Sequence, residues 1–202
     1  MWNGKHAANE LAFGKQPLPF GLSVQNEIGP DDKVLELGCG MGGDARLFAS
    51  LGADVVATDF SDVAVAENNK NGTPPNLSFQ VLDITGHFPF EHGTFTVLYS
   101  HLALHYWNRE TTAEVFAEIA RVLKPGGKLF FMCKSEKDPK YGQGGEVEPG
   151  VFSRNGHIRH FFSPEYTRAL LAKDFEIIKL EESAATYAGE DSAFVECWAV
   201  RK

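Results

Sequence analysis

Apolar and polar positions along the chain follow two alternating periods, and the switches between them mark the elements. Residues 33–37 (KVLEL) are a short apolar run holding one acid. Runs of similar length recur at 54–58 (DVVAT), 77–82 (LSFQVL), 95–100 (FTVLYS) and 128–133 (KLFFMC). Bounded by turn residues and rich in β-branched and aromatic side chains, they read as buried strands. A helix is predicted from Asp44 to Leu51, closing at Gly52, and another over 62–70 with Ser61 as its cap. Asn71-Gly72-Thr73-Pro74-Pro75 breaks the second. Thr111 and Glu114 have capping-box spacing before a Val115, Ile119, Leu123 stripe, which ends at Lys124-Pro125-Gly126-Gly127. Strands alternating with helices predict a parallel α/β sheet with both faces covered.

The pattern changes after residue 133. Residues 134–160 scatter Gly142, Gly144, Gly145, Pro149, Gly150 and Gly156 among charges, which predicts a long, lid-like loop. Ser163-Pro164-Glu165 starts a helix running to about Ala172. Strands at 175–180 and 194–200 follow with no helix between them, so they should pair antiparallel. Residues 1–30, with Trp2, Phe13, Pro17, Pro19 and Phe20, read as a helical or irregular arm that packs on the domain or covers a pocket.

Composition narrows the function. The chain's 202 residues suit a single domain over 1–202, and 43% hydrophobic content fits an ordinary globular core. A net charge of −8 with no Lys/Arg run disfavours nucleic acid. Cys39, Cys133 and Cys197 are odd in number and far apart, the usage of a reducing compartment. The N-terminus lacks a signal-type apolar core, and no stretch approaches the roughly 20 apolar residues that span a bilayer. The expectation is a cytoplasmic protein with no membrane partner. Nothing in the pattern sets an oligomeric state.

The candidate chemistry begins at residues 33–44, KVLELGCGMGGD. Gly38, Gly40 and Gly43 fit G-x-G-x-x-G after a strand, and Asp59 supplies the acid expected about 20 residues on. That much fits a nicotinamide cofactor or any other adenosine ligand. Three features separate them. Glu36 stands inside the strand, two residues before the first glycine. A third acid, Asp83, ends the third strand. RVLKPGGKLFF (121–131) puts a Pro-Gly-Gly turn between a helix and the fifth strand.

Together, ELGCGMG (36–42), Asp59, Asp83 and LKPGGKLF (123–130) resemble the class I S-adenosylmethionine-dependent methyltransferases, at motif level over about residues 30–134. The resemblance implies a single Rossmann-like, doubly wound α/β sheet of seven strands, mostly parallel with an antiparallel last strand. It implies S-adenosyl-L-methionine as cofactor, with Gly38, Cys39 and Gly40 along its methionine part and Glu36 supporting its ammonium. Asp59 would hold the ribose, Phe60 would border the adenine, and Asp83 and Ile84 would contact it. The backbone at Ser100–His101 would lie under the sulfonium.

Each residue also has a plainer reading. Asp59 and Asp83 fit as caps at strand ends. A buried Glu36 needs a partner, which is either the ligand or a nearby backbone amide. Cys39 is a small turn residue. In YSHLALHYW (99–107), His101 and His105 are candidate general bases, or they line and pack the pocket. As metal ligands they lack a third donor nearby, so no metal is expected. Tyr106, Trp107, Arg159 and His160 are candidate acceptor-lining residues. Arg159 meets an anionic group or flanks a helix start at the surface.

Departures from family subtypes narrow the acceptor. Ser-His-Leu-Ala after the fourth strand is not the Asn/Asp-Pro-Pro-Tyr of enzymes acting on adenine or glutamine, and no acid–acid–Asn cluster marks a magnesium-dependent catechol type. A small-molecule acceptor remains. The rivals are an NAD(P)-dependent oxidoreductase, for which no Tyr-x-x-x-Lys pair is found, and a non-catalytic adenosine-ligand module.

Overall fold

Strand β1 (Lys33–Leu37) lies at the middle of the molecule because its side chains are covered on both faces. Leu35 and Leu37 face one layer of core, and Val34 faces the other, the alternation a strand imposes. The structure, a computed structural model, describes residues 15–70 and 72–202. Expectations for Trp2 and Phe13 fall outside those residues.

Seven strands form one sheet. After β1 come β2 (Asp54–Asp59), β3 (Leu77–Val81), β4 (Phe95–His101), β5 (Leu123–Lys134), β9 (Phe175–Tyr187) and β10 (Glu190–Arg201). Their order is β3-β2-β1-β4-β5-β10-β9, with β10 antiparallel to both of its neighbours. The expected sheet is therefore present. The chain fills one side through β2 and β3, then crosses to the other at β4. That reversal leaves a crevice beyond the carboxyl ends of β1 and β4, where open α/β sheets bind ligands.

Helices cover both faces. α1 (Pro19–Val24), α2 (Gly43–Ser50) and α3 (Asp62–Asn69) press Phe20, Phe48 and Val65 onto Val55, Val97 and Phe130. On the other face, α4 (Arg109–Val122) and α5 (Pro164–Leu171) bring Phe116, Ile119 and Leu171 against Leu98, Phe131 and Val195. Ser61 and Ser163 cap α3 and α5 as expected, accepting from the amides of Ala64 and Tyr166. For α4 the cap is Asn108, not Thr111: its Oδ1 accepts from the Thr111 amide at 2.9 Å, so the helix starts earlier than the Thr111/Glu114 spacing implied.

Three other differences have local causes. Pairing in β5 begins at Leu123, and a register shift opposite β4 absorbs the Pro-Gly-Gly segment, where Gly126 takes φ +78°. β9 and β10 are about twice as long as expected, because cross-strand pairing continues to a turn at Ala188–Gly189 through residues of mixed polarity. The segment expected as an open loop carries a second, three-stranded antiparallel sheet: β6 (Gly145–Glu148), β7 (Val151–Arg154) and β8 (His157–His160). Its glycines and Asn155 sit at the turns, with φ +78° at Gly150 and +76° at Gly156.

A buried ion pair fixes how the end of β5 meets β10. Lys134 Nζ donates to Asp138 Oδ2 at 2.7 Å, and the same carboxylate accepts from the amides of Ala193 and Lys140. Removing one partner of such a pair leaves the other buried without compensation. Asp138→Ala is expected to lower the unfolding free energy by about 3 kcal/mol or more in urea titrations. Lys137→Ala, whose lysine meets Glu182 at the surface, should change it by less than about 1 kcal/mol.

Candidate active site

The turn after β1 is built from left-handed glycines and tied to its neighbours. Gly38, Gly40 and Gly42 take φ +78°, +51° and +73°. The amides of Gly38 and Cys39 both donate to the Thr58 carbonyl, at 2.8 and 2.9 Å. Asp59 clamps the turn from the end of β2: its Oδ2 accepts from the Gly40 amide and its Oδ1 from the Ser61 amide, both at 2.8 Å. Asn68 of α3 donates to the Gly40 carbonyl, and Arg46 of α2 donates to Asn68 and to the carbonyls of Met41 and Gly42. A Cβ on Gly38 would overlap the Ala103 methyl, so glycine is what lets the β1 turn meet the segment after β4.

Inside this turn the charge does not balance. Glu36 is 3% exposed, and its Oε2 has no hydrogen-bond partner. Burial pushes its carboxyl well above the ordinary range, and the nearby carboxylates of Asp44 and Asp59 push it further. Among the described residues Arg46 is the cation opposing them in that shift, and it is already engaged with Asn68 and two carbonyls. Asp44 has donors of its own: it accepts from the Leu18 amide and the Tyr99 hydroxyl at 2.7 Å, and burial raises its pKa. The turn therefore offers an unpaired carboxylate oxygen and an excess of acid. That combination fits a cationic group approaching along the glycines.

The other expected contacts are mixed. Cys39 is buried with its thiol pushed well up by burial and then by Glu36, which suits a turn residue and not a nucleophile. The Phe60 ring is 62% exposed beside Asp59, an open apolar flank. Asp83 is exposed and accepts from the amide and hydroxyl of Thr85, the cap its plainer reading anticipated. Ile84 is buried next to it. The Ser100 hydroxyl donates to the Leu37 carbonyl at 2.9 Å, which joins the ends of β4 and β1.

Residues 35–131 match the family model described as a methyltransferase domain. Over 196 residues the chain is 32% identical to a sterol 24-C-methyltransferase of Saccharomyces cerevisiae, covering 91% of this chain and 48% of that protein. The chain carries a methyltransferase domain. A solved S-adenosylmethionine-dependent methyltransferase from Methanosarcina mazei superposes with a TM-score of 0.78 at 21% identity, covering 92% of this chain and 98% of that one. A 1,6-didemethyltoxoflavin-N1-methyltransferase from Burkholderia thailandensis, solved with its substrate and S-adenosylhomocysteine, superposes at 0.72 with 16% identity, over 98% and 82% of the two chains. This methyltransferase chain spans half or less of the length of the first curated relatives it matches.

On the far side of the crevice the methyltransferase domain is aromatic and polar. His101, at the end of β4, has ring neighbours Phe20 at 6.0 Å and Tyr187 at 5.7 Å. Burial, with Lys134 nearby, lowers its pKa to about 4. His105 is 1% exposed, and its Nδ1 has no hydrogen-bond partner. Its ring lies 4.5 Å from Tyr106, and burial followed by Arg159 drives its pKa well down. Both imidazoles are neutral near pH 7. Arg159 reaches this side, with its guanidinium 5.8 Å from the Tyr106 ring.

Two expected lining residues turn elsewhere. His160 follows Arg159 in β8 and so faces the opposite way. Its Nδ1 lies 3.2 Å from the Thr112 hydroxyl and its ring against Phe162 and Tyr166. Trp107 packs on the core beside α4 and α5. Sequence reading missed Thr58, Asn68, Arg46 and Asp44. Of these only Thr58, adjacent to Asp59, carried a positional signal.

The raised pKa of Glu36 has a stability consequence. Between the ordinary carboxylate pKa and the raised one, the folded chain holds a proton that the unfolded chain has released, so stability falls as pH rises through that window. Glu36→Gln removes the decline. Its unfolding free energy relative to the parent is expected to rise as pH climbs above the ordinary carboxylate range in urea titrations; a difference that stays flat would contradict the assignment.

Proposed function

We propose that this chain binds S-adenosylmethionine along the Gly38–Gly42 turn and transfers its methyl group to a small-molecule acceptor held beyond His101. The observation that carries this reading is the unpartnered, buried Glu36 oxygen within an acid-rich glycine turn. An α-ammonium and a sulfonium are the groups that such a turn accommodates. A nicotinamide dinucleotide brings a pyrophosphate, which the same carboxylates repel.

When bound, the cofactor supplies an electrophilic methyl on a positively charged sulfur; the chain's residues supply alignment and charge. Glu36 would meet the ammonium, directly or through water, and Asp59 would offer its remaining lone pairs to the ribose while it clamps Gly40. Phe60 would flank the adenine, with Asp83 and Ile84 at its edge. The neutral His101 would accept a proton from an acceptor hydroxyl, and Phe20 and Tyr187 hold its ring in place. A carbon or thiolate nucleophile would need only positioning. The S. cerevisiae relative methylates a sterol carbon and the B. thailandensis structure a ring nitrogen, so the shared fold leaves the acceptor atom open.

Within the lid-like segment of 134–160, the bonds from His160 to His105 and from Phe162 to Lys134 support reading the meander of 145–160 as a cover for the acceptor side. Among the described residues no helix is long and apolar enough to cross a membrane, and Cys39, Cys133 and Cys197 are unpaired and buried. The unpaired cysteines support reading the compartment as reducing, as in a cytoplasm.

Calorimetry with S-adenosylmethionine, S-adenosylhomocysteine and NADH tests the reading. The first two should bind and NADH should not; the reverse sinks the proposal. Asp59→Ala should weaken S-adenosylhomocysteine by at least about 1 kcal/mol, roughly fivefold, through loss of a charge-assisted hydrogen bond and of the Gly40 clamp. Unchanged affinity removes Asp59 from the site.

A further inference from the structure

The two sides of the crevice carry opposite charge. Around the glycine turn, Glu36, Asp44 and Asp59 outnumber Arg46. Across from them the fixed charges are cations, Lys134 at the end of β5 and Arg159 of β8. Lys134 is neutralised by its buried pair with Asp138. No carboxylate among the described residues forms an ion pair with Arg159. The histidines beside it, His101 and His105, add no charge near pH 7.

The main chain fixes where Arg159 stands. The His160 amide donates to the His105 carbonyl at 3.0 Å, and the Phe162 amide donates to the Lys134 carbonyl at 2.8 Å. Within the meander, Arg159 pairs with Phe152, and the Phe161 amide reaches the Gly150 carbonyl. These bonds place β8 against both the end of β5 and the segment after β4. The half-buried guanidinium is thereby set against Tyr106, with whose side chain it hydrogen-bonds, and its charge acts on His105, whose Nδ1 has no partner. A buried imidazole nitrogen without a partner costs roughly 1–3 kcal/mol. A planar fork of N–H donors matches a carboxylate or a phosphate with two parallel hydrogen bonds, which a neutral amide cannot return at equal strength.

We propose that the methyl acceptor is a small molecule bearing an oxyanion, carboxylate or phosphate, which docks on Arg159 over Tyr106 and beside His105. This deepens the methyl-transfer reading and rests on it. The net charge of −8 does not oppose it, because selection by Arg159 acts within a few ångströms and bulk charge is screened beyond about 10 Å.

The test uses the full chain saturated with S-adenosylhomocysteine, whose binding is first measured by calorimetry. Acetate, methyl phosphate and acetamide are titrated at fixed ionic strength, with chloride as the bulk-salt control. The readout is the backbone amide resonances of residues 105–107 and 157–160. Acetate or methyl phosphate should shift them saturably at concentrations about tenfold below those acetamide needs. Arg159→Gln should abolish that preference, and Arg159→Lys, which keeps the charge without the fork, should retain it in weakened form. If oxyanions and acetamide act alike, or Arg159→Gln keeps the preference, the proposal is overturned. Failure of S-adenosylhomocysteine to bind overturns the broader reading instead; binding without an oxyanion preference overturns this inference alone.

Discussion

A carboxylate buried among other carboxylates is the constraint on which this site depends. Glu36 has one oxygen without a partner, Asp44 and Asp59 nearby, and a single guanidinium that is already spoken for. In isolation such a group takes up a proton to relieve the strain. The surroundings resist relaxing it in other ways. Glu36 is held in β1 between β2 and β4, opposite Ala57 and Tyr99 in register. The turn that follows is clamped by Thr58, Asp59 and Asn68, so the carboxylate cannot swing out to solvent. What remains to satisfy it is a cation arriving from the crevice.

The fold supplies that crevice by its order of strands. β1 and β4 are neighbours at the point where the chain reverses direction across the sheet, so the turns after them meet. Gly38 meets Ala103 there, and the Ser100 hydroxyl reaches the Leu37 carbonyl. The acids sit on the β1–β2 side. Arg159 comes from the added meander, while Lys134 at the β5 end is paired with Asp138. One side thus suits a cationic cofactor and the other an anionic acceptor, and a molecule carrying the wrong charge is disfavoured at each.

Much of this was legible in the sequence, for physical reasons. Short apolar runs specify buried strands because covered faces admit little else, and Ser61 and Ser163 announced their helices through the hydroxyl that an N-terminus needs. The glycines marked the turn because only they accept its φ values without strain. Glu36 stood out as the one acid in an apolar run. The meander was not legible: its strands are four residues each and polar on one side, too short for a period to emerge among turn glycines. Asn108 was passed over because Thr111 offered the same chemistry three residues on. The clamps by Arg46 and Asn68 depend on α2 and α3 folding back onto the turn, a tertiary fact with no local pattern. The turn of His160 away from Arg159 and into the packing beside Thr112 follows from strand alternation, which became visible only once β8 was known to be a strand.

Because burial and the neighbouring acids raise its pKa, Glu36 is expected to lose protons when the ammonium of the cofactor arrives. Calorimetry of S-adenosylhomocysteine binding at pH values above the ordinary carboxylate range, repeated in buffers of different ionisation enthalpy, counts those protons directly. Net proton release is expected in the parent and its loss in Glu36→Gln. Binding without proton exchange in the parent, or equal release in Glu36→Gln, would contradict that expectation.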